Sequence, residues 1–417
     1  MKIILAAIGT RGDIEPFLAI GKILKEKGHQ VICAFSEQFR ELTENCDIEF
    51  ASLGKKNDDL FEIDAARTAI GGSGIKKFFA WIKLIKLAKN QKVPQEKEFK
   101  LYEIVNQEKP DRIVYHSKNI YPLIWEYNNR GKTIFVSPFP YMHYVKGHSF
   151  FDFIKNYGEY FNKLTFKLYD FGVVTATMMA KKWLQINDKI ERKKLKNIIH
   201  NRKFIYTISP SLFPQPSYWE SNVKIFGYQE LKRKTDWKPE KKLTEFIEKY
   251  EKILFITFGS MLNPEPKLKT KRILEILERN KIPAIINTAD GGLIKPDNFN
   301  SELICFVSQI PYDWIFPKMY AVIHHGGAGT THLAIKYGCA TMIIPHMLDQ
   351  FVWDRIISDM GVGPKGVKIS RITKKKFELK VLELFNNRSF KEKSVIIGNQ
   401  MKKEDFKDEL CKTIINN

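Results

Sequence analysis

The run VIHHGGAGTTHLAIKYGCATMIIPHMLDQFVWDR, Val322 to Arg355, decides the fold. Ala321 to Ile323 make a short apolar strand that leads into His324, His325, Gly326, Gly327, Ala328, Gly329 and Thr330, and an amphipathic stretch then continues to Gly338. The pattern predicts a strand, a glycine turn and a helix N-terminus. Such a turn lets backbone come close to a phosphate, aims unpaired N–H groups at it and adds the positive end of the helix dipole. A second apolar strand, Thr341 to Ile344, ends in Pro345 and delivers Asp349 and Gln350 to the same sheet edge, where parallel α/β folds bind ligands. Phosphate donors on one side, with a carboxylate and an amide on the other, suit a sugar joined to a diphosphate. The competing account uses the glycines for backbone angles alone and Asp349 as the cap of a helix from Phe351; it explains Gln350 poorly.

Working outward, KILFITFGSM (Lys252–Met261) echoes KIILAAIGT (Lys2–Thr10): each is an apolar strand followed by a glycine turn and a helical pattern. Two similar halves are expected, each with a parallel sheet. In the first half, Lys2 to Ile8 reads as a strand, Gly9 to Gly12 as a turn, Glu15 to Lys27 as a helix and Val31 to Phe35 as a second strand. The turn lacks the G-x-G-x-x-G pattern, so no nicotinamide cofactor is indicated. Its Asp13 suits either a helix N-cap or a carboxylate placed for general-base work.

These stretches resemble family 1 glycosyltransferases of GT-B fold, in particular the sterol and lipid glucosyltransferases and the bacterial glycopeptide-antibiotic glycosyltransferases. The carriers are PYDWIFPKMYAVIHHGGAGTT, the IIPHMLDQFVWDR run, Gly361 to Pro364, and GTRGD at Gly9 to Asp13, which is similar to a GSRGD loop with Thr10 in place of serine. The resemblance implies two Rossmann-like α/β domains facing each other across a cleft: an acceptor domain over 1–230, a nucleotide-sugar domain over 240–390, and a C-terminal helix within 391–417 that crosses back to the first domain. The linker falls in LKRKTDWKPEKKL (Leu231–Leu243).

The resemblance also implies roles. Asp13 is the general base. The donor is held by Gly259, Ser260, Gln309, His325, Gly326, Gly327, Ala328, Gly329, Thr330, Asp349 and Gln350, with Gly9, Thr10, Arg11, Gly12 and His324 supporting the phosphate or the loops. A gap-free alignment through Asp349 puts the diphosphate-contacting histidine at His325, with His324 as its neighbour. Plant-type members use a histidine base, but the Asp13 loop contains none, so no His-Asp dyad is expected. Phe139, Tyr141 and His143, in the turn-rich Pro138–Phe151, fall where relatives line the acceptor pocket.

The expected activity is an inverting transfer of a hexose, glucose from UDP-glucose, to the hydroxyl of a sterol or other lipid-like alcohol. UDP-sugar is a co-substrate; no cofactor and no metal are expected, and no D-x-D occurs. The alternatives are a same-fold transferase using another sugar or a glycolipid or polyketide acceptor, a UDP-sugar epimerase, and a non-enzymatic basic binding protein.

A net charge of +21 over 417 residues favours an anionic partner: a nucleotide diphosphate, an acidic membrane surface or nucleic acid. Nucleic acid is not expected, since it leaves GTRGD and HHGGAGTT without a purpose. The five cysteines show no paired spacing and read as free thiols of a cytoplasmic protein. No apolar run is long enough to span a bilayer, so membrane contact would be peripheral, at the inner face. Two segments fit such contact. KKFFAWIKLIKLAKNQK (Lys76–Lys92), after GGSG at Gly71–Gly74, reads as a basic amphipathic helix, with core packing as its commoner use; Lys181 to Lys196 is a basic run whose bland role is a solvated helix face.

Overall fold

The computed structural model describes residues 1–55, 93–150, 156–231, 237–259, 261, 263, 265–289, 292–346 and 349–416. The segment Gly71–Lys92 and Ser260 therefore lie outside the described residues. The rest falls into two compact units, one holding 1–55, 93–231 and 404–416, the other 237–403.

In the first unit the strands are β1 (Lys2–Ala6), β2 (Gln30–Phe35), β3 (Glu49–Ser52), β4 (Arg112–His116), β5 (Thr133–Ser137), β6 (Lys203–Tyr206) and β7 (Val223–Ile225), arranged in the order β3-β2-β1-β4-β5-β6-β7. Every pairing is parallel. The central strands β4 and β5 are buried along their length and β1 from Ile3 onward, which explains the apolar runs at their centres. The helices are α1 (Arg11–Glu26), α2 (Arg40–Glu44), α3 (Val93–Glu108), α4 (Tyr121–Asn128), α5 (Glu159–Trp183) and α6 (Arg192–Asn201). Helix α1 sinks Ile14, Phe17, Leu18 and Ile20 into the core below β1 and β2.

The second unit repeats the plan. Strands β8 (Leu254–Thr257), β9 (Ala284–Asn287), β10 (Ile304–Val307), β11 (Ala321–His324) and β12 (Ala340–Ile343) run parallel in the order β10-β9-β8-β11-β12. Around them lie α7 (Lys241–Lys249), α8 (Pro266–Arg279), α9 (Tyr312–Ile315), α10 (Ala328–Lys336), α11 (Gln350–Asp359), α12 (Lys374–Asn386) and α13 (Arg388–Met401).

Both sheets reverse direction of growth between their first and fourth strands. In an open parallel sheet the loops leaving those two strands diverge, and the crevice between them receives the ligand. The fold thus predicts one functional edge per unit: the ends of β1 and β4, and the ends of β8 and β11.

Two boundaries differ from the sequence expectation. The returning segment begins at Glu404 rather than 391, because α13 packs on α10 and β12 of the second unit. What returns is α14 (Lys407–Ile415), which packs on α1 and β4 and buries Leu410 and Ile414. Arg112 donates to the carbonyls of Ile414 and Ile415, and Lys203 to those of Thr413 and Asn416, so two cations satisfy the helix's last carbonyls. The second difference is the start of α1, at Arg11 instead of Glu15.

Candidate functional site

That earlier start changes the role of Asp13. Thr10 is the N-cap and Asp13 the third helical residue, and its carboxylate Oδ2 accepts from the Thr10 N–H at 2.7 Å and the Thr10 hydroxyl at 3.1 Å. Asp13 therefore closes a capping box instead of serving as the N-cap itself. Lys118, just past β4, places Nζ 3.0 Å from the same Oδ2. The other oxygen, Oδ1, faces His116 Nε2 at 3.5 Å. A histidine therefore does face Asp13, but it comes from the end of β4, adjacent to β1 at the switch point, and not from the loop.

Gly9 makes this cluster possible. It sits at φ 152°, and a Cβ there would lie 2.1 Å from Asp13 Oδ2 and 2.7 Å from Lys118 Nζ. Arg11 turns away to pair with Glu15 at 2.5 Å. Gly12 is exposed in the first turn. Burial pulls the Asp13 carboxyl upward, but Lys118, His116 and the Thr10 N–H outweigh it, and the group stays below the usual carboxylate range. Burial also pushes His116 down to about 4, against the pull of Asp13 and with help from Lys118. At neutral pH the cluster holds a carboxylate and a neutral imidazole beside Lys118.

The second unit places His325 at the end of β11, next to the turn after β8. Its ring lies against two glycines: a Cβ on Gly327 would be 2.6 Å from Nε2, and one on Gly259, at φ 55°, would be 3.0 Å from Cε1. Burial holds His325 down at about 4, and its buried Nδ1 has no hydrogen-bond partner among the described residues. His324 is fully buried, and its Nδ1 accepts the Gly326 N–H at 3.0 Å, bracing the turn. Gly326, at φ 97°, packs against Ile343 and Gln350. Gly327 is the N-cap of α10 and brings no capping side chain, so the first-turn N–H groups of Ala328, Gly329 and Thr330 lack intrahelical acceptors.

Asp349 stands at the N-cap of α11 without a side-chain capping bond, while Gln350 is buried. Gln350 Oε1 accepts the His346 N–H at 2.7 Å, and His346 Nε2 meets Asn263 Oδ1 at 2.7 Å. Gln350 therefore has a structural task that the sequence did not reveal. Gln309 is exposed after β10.

Two of the proposed acceptor residues are committed to internal packing. Tyr141 is buried against His148 and Phe213. His143 Nδ1 lies 2.8 Å from the Tyr206 hydroxyl, its ring contacts Phe204 and Trp219, and burial, with Arg202 adding, pushes it down to about 3. Phe139 is half-buried beside them. His116 and Lys118 were missed, although VYHSK, an apolar strand ending in polar residues, carried the signal.

Among the described residues no cluster of three or more His, Cys, Asp and Glu is placed to hold a metal ion, and no helix is long and apolar enough to cross a membrane.

Two parallel sheets with matched switch points and strand-end loops define a GT-B architecture. Solved structures share it: the spinosyn forosaminyltransferase SpnP (TM-score 0.69, 11% identity, 98% of this chain and 96% of that one) and the calicheamicin glycosyltransferase CalG4 (TM-score 0.67, 14% identity, 99% and 97%). The glycosyltransferase family 28 N-terminal domain matches residues 3–100, and the erythromycin biosynthesis protein CIII-like C-terminal domain matches 296–416. A sterol 3-beta-glucosyltransferase of Arabidopsis thaliana is 27% identical over 97% of this chain and 64% of its own length; that of Yarrowia lipolytica is 26% identical over 96% and 28%. The chain thus spans less than two thirds of these relatives. In both halves, then, the chain is similar to glycosyltransferases of GT-B fold.

Proposed function

We propose that the chain transfers glucose from UDP-glucose to the hydroxyl of a sterol-like or other lipid alcohol, with inversion. The observation that carries this is the Asp13 carboxylate, with Oδ2 engaged by Thr10 and Lys118 and Oδ1 directed at the neutral His116. In the reaction the acceptor O–H gives its proton to Oδ1 as its oxygen bonds to the anomeric carbon. The bond from that carbon to the β-phosphate oxygen breaks, and UDP leaves with the electron pair. Lys118 keeps Asp13 ionised; His116 orients Oδ1 and shields it from water. A base so placed contributes roughly 10²- to 10⁴-fold.

On the donor side, the free N–H groups of α10 and the His325 ring receive the diphosphate. Asp349 takes a sugar hydroxyl. Gln309 and Gly259 line the nucleotide and its phosphates, and Gln350 acts by fixing the His346 loop. Contact with an anionic membrane belongs to the same proposal, since a lipid alcohol resides there. The base is less constrained: one structural neighbour, the glycosyltransferase VinC (TM-score 0.65, 13% identity, covering 100% of both chains), was solved with dTDP.

The test is nucleotide release from a panel of UDP- and dTDP-sugars, with and without sterols and other lipid alcohols, for the wild type and Asp13→Asn. Acceptor-dependent UDP release that collapses in Asp13→Asn supports the assignment. Interconversion of donor sugars without acceptor would make the protein an epimerase, and an equally active Asp13→Asn would remove Asp13 as the base.

A further inference from the structure

Helix α5 exposes an unusual row of large apolar side chains: Tyr160 at 74%, Phe161 at 59%, Leu168 at 48%, Phe171 at 63% and Met179 at 49%, joined by Leu164 and Trp183. At 100° per residue, Tyr160, Phe161, Leu164, Leu168, Phe171 and Met179 share one face about 100° wide. The opposite face is buried through Asn162, Phe166, Val174, Thr177 and Ala180, which seats the helix on the first unit. So α5 is apolar on both sides, and only one side has a use in the fold. Scattered exposed apolar residues need no explanation, but a continuous stripe along a helix of 25 residues does.

The charges beside it indicate the occupant. Lys163 and Lys167 flank the stripe at one end and Lys181 and Lys182 at the other, with Arg192, Lys193, Lys194 and Lys196 following on α6. Over residues 159–201 there are nine Lys and Arg against four Asp and Glu, and the chain as a whole is at +21. A seam between protein copies is depleted of charge at its core and avoids like-charged flanks; an aromatic and leucine stripe edged by lysines is the pattern of a helix lying in the headgroup region of an anionic bilayer. Lysine stems can lie along the apolar surface while their ammonium groups reach lipid phosphates.

We infer that the Tyr160–Met179 face of α5 docks the protein on an anionic phospholipid bilayer. This surface gives the membrane contact of the proposed lipid-alcohol transferase a location, and to that extent rests on that function, but its binding is measurable without catalysis.

The experiment is co-sedimentation of the full chain with phosphatidylcholine vesicles containing 0% or about 30% phosphatidylglycerol, in low and high salt. It compares the wild type with the triple variant Phe161→Gln, Leu168→Gln, Phe171→Gln and with Lys163→Gln, Lys167→Gln. We expect binding that needs the anionic lipid, weakens with salt, and drops about tenfold or more in the triple variant and severalfold in the lysine variant. Thermal melts check that these exposed changes leave the fold intact. Vesicle binding equal in the wild type and the triple variant overturns the inference. So does a dimer in sedimentation that only the triple variant dissolves, with no vesicle binding by either. Assay on detergent-dispersed acceptor separates the two claims. A triple variant active there but absent from vesicles supports the surface, whereas inactivity of every form with lost vesicle binding in the variant leaves the surface standing and removes the transferase assignment.

Discussion

Lys118 Nζ lies 3.0 Å from Asp13 Oδ2 although 105 residues separate them in the chain. The pair joins the loop after β1 to the loop after β4. It also makes Oδ1 the less engaged carboxylate oxygen, since Oδ2 accepts from Lys118 and Thr10 while Oδ1 faces only His116 at 3.5 Å among the described residues.

Removing the ammonium is expected to weaken Asp13 as a carboxylate without unseating it. In Lys118→Met the Asp13 pKa rises toward its ordinary value, so the acid limb of kcat/KM moves to higher pH. Because Lys118 is half-exposed, the loss at pH 7 is within ~5-fold. Asp13→Asn, which keeps an oxygen for the Thr10 cap, loses ~10²- to 10⁴-fold. The pH profile of the two variants checks this. An unmoved acid limb in Lys118→Met would show that another group sets it.

His325 is confined by glycines, so its position depends on residues that bear no side chain. Gly327→Ala puts a methyl 2.6 Å from Nε2 and forces the ring away. The expected outcome is at least a tenfold weaker donor Kd by calorimetry, with a small change in Tm. His325→Ala alone also weakens binding. The double variant loses little beyond His325→Ala, because the clash has gone with the ring. Strict additivity would mean that Gly327 acts through its own backbone and not through His325.

The strands and the glycine turns after them were legible because buried parallel strands read as apolar runs and their loops end in small residues, whereas the strand order was not. Asp13 and His325 stand out as candidates for the same reason: each follows such a run within a few residues. His116 could not be assigned to Asp13, because only the pairing of β1 with β4 makes them neighbours. Tyr141 and His143 misled for the converse reason. Aromatics in a turn-rich stretch have the same composition whether they line a pocket or, as here, fill an aromatic cluster around Phe204 and Trp219.

Acid should unfold this protein early. His116, His324, His325, His332, His143 and His346 are all held below the ordinary histidine value, chiefly by burial. Between pH 6.5 and about 4 the unfolded chain protonates these side chains and the native one does not. Unfolding therefore takes up protons, and stability falls as pH falls, by up to ~1.4 kcal/mol per pH unit for each such group. Asp13 acts in the same direction at lower pH: its stabilisation is present above the unfolded carboxyl value and is lost as pH drops through its depressed folded value. Tm measured from pH 7.5 to 4.5 should decline steadily from about pH 6.5. A flat profile over that range would contradict the neutral, buried state of these rings.

Neighbouring residues at the start of α11 should separate stability from donor binding. Gln350 is buried and its Oε1 accepts the His346 N–H, so Gln350→Leu leaves that buried N–H without an acceptor at a cost of ~1–3 kcal/mol. A clear fall in Tm is expected, together with a weaker donor interaction as the His346 loop shifts. Asp349 makes no side-chain cap, and Asp349→Asn should raise the KM for the sugar nucleotide while changing stability less than Gln350→Leu does. Thermal melts and donor KM, measured for both variants, give a crossed pattern if Asp349 touches the sugar and Gln350 supports the loop. Equal KM effects at unchanged Tm would instead place Gln350 in direct contact with the donor, and unchanged KM in Asp349→Asn would take Asp349 out of the sugar site.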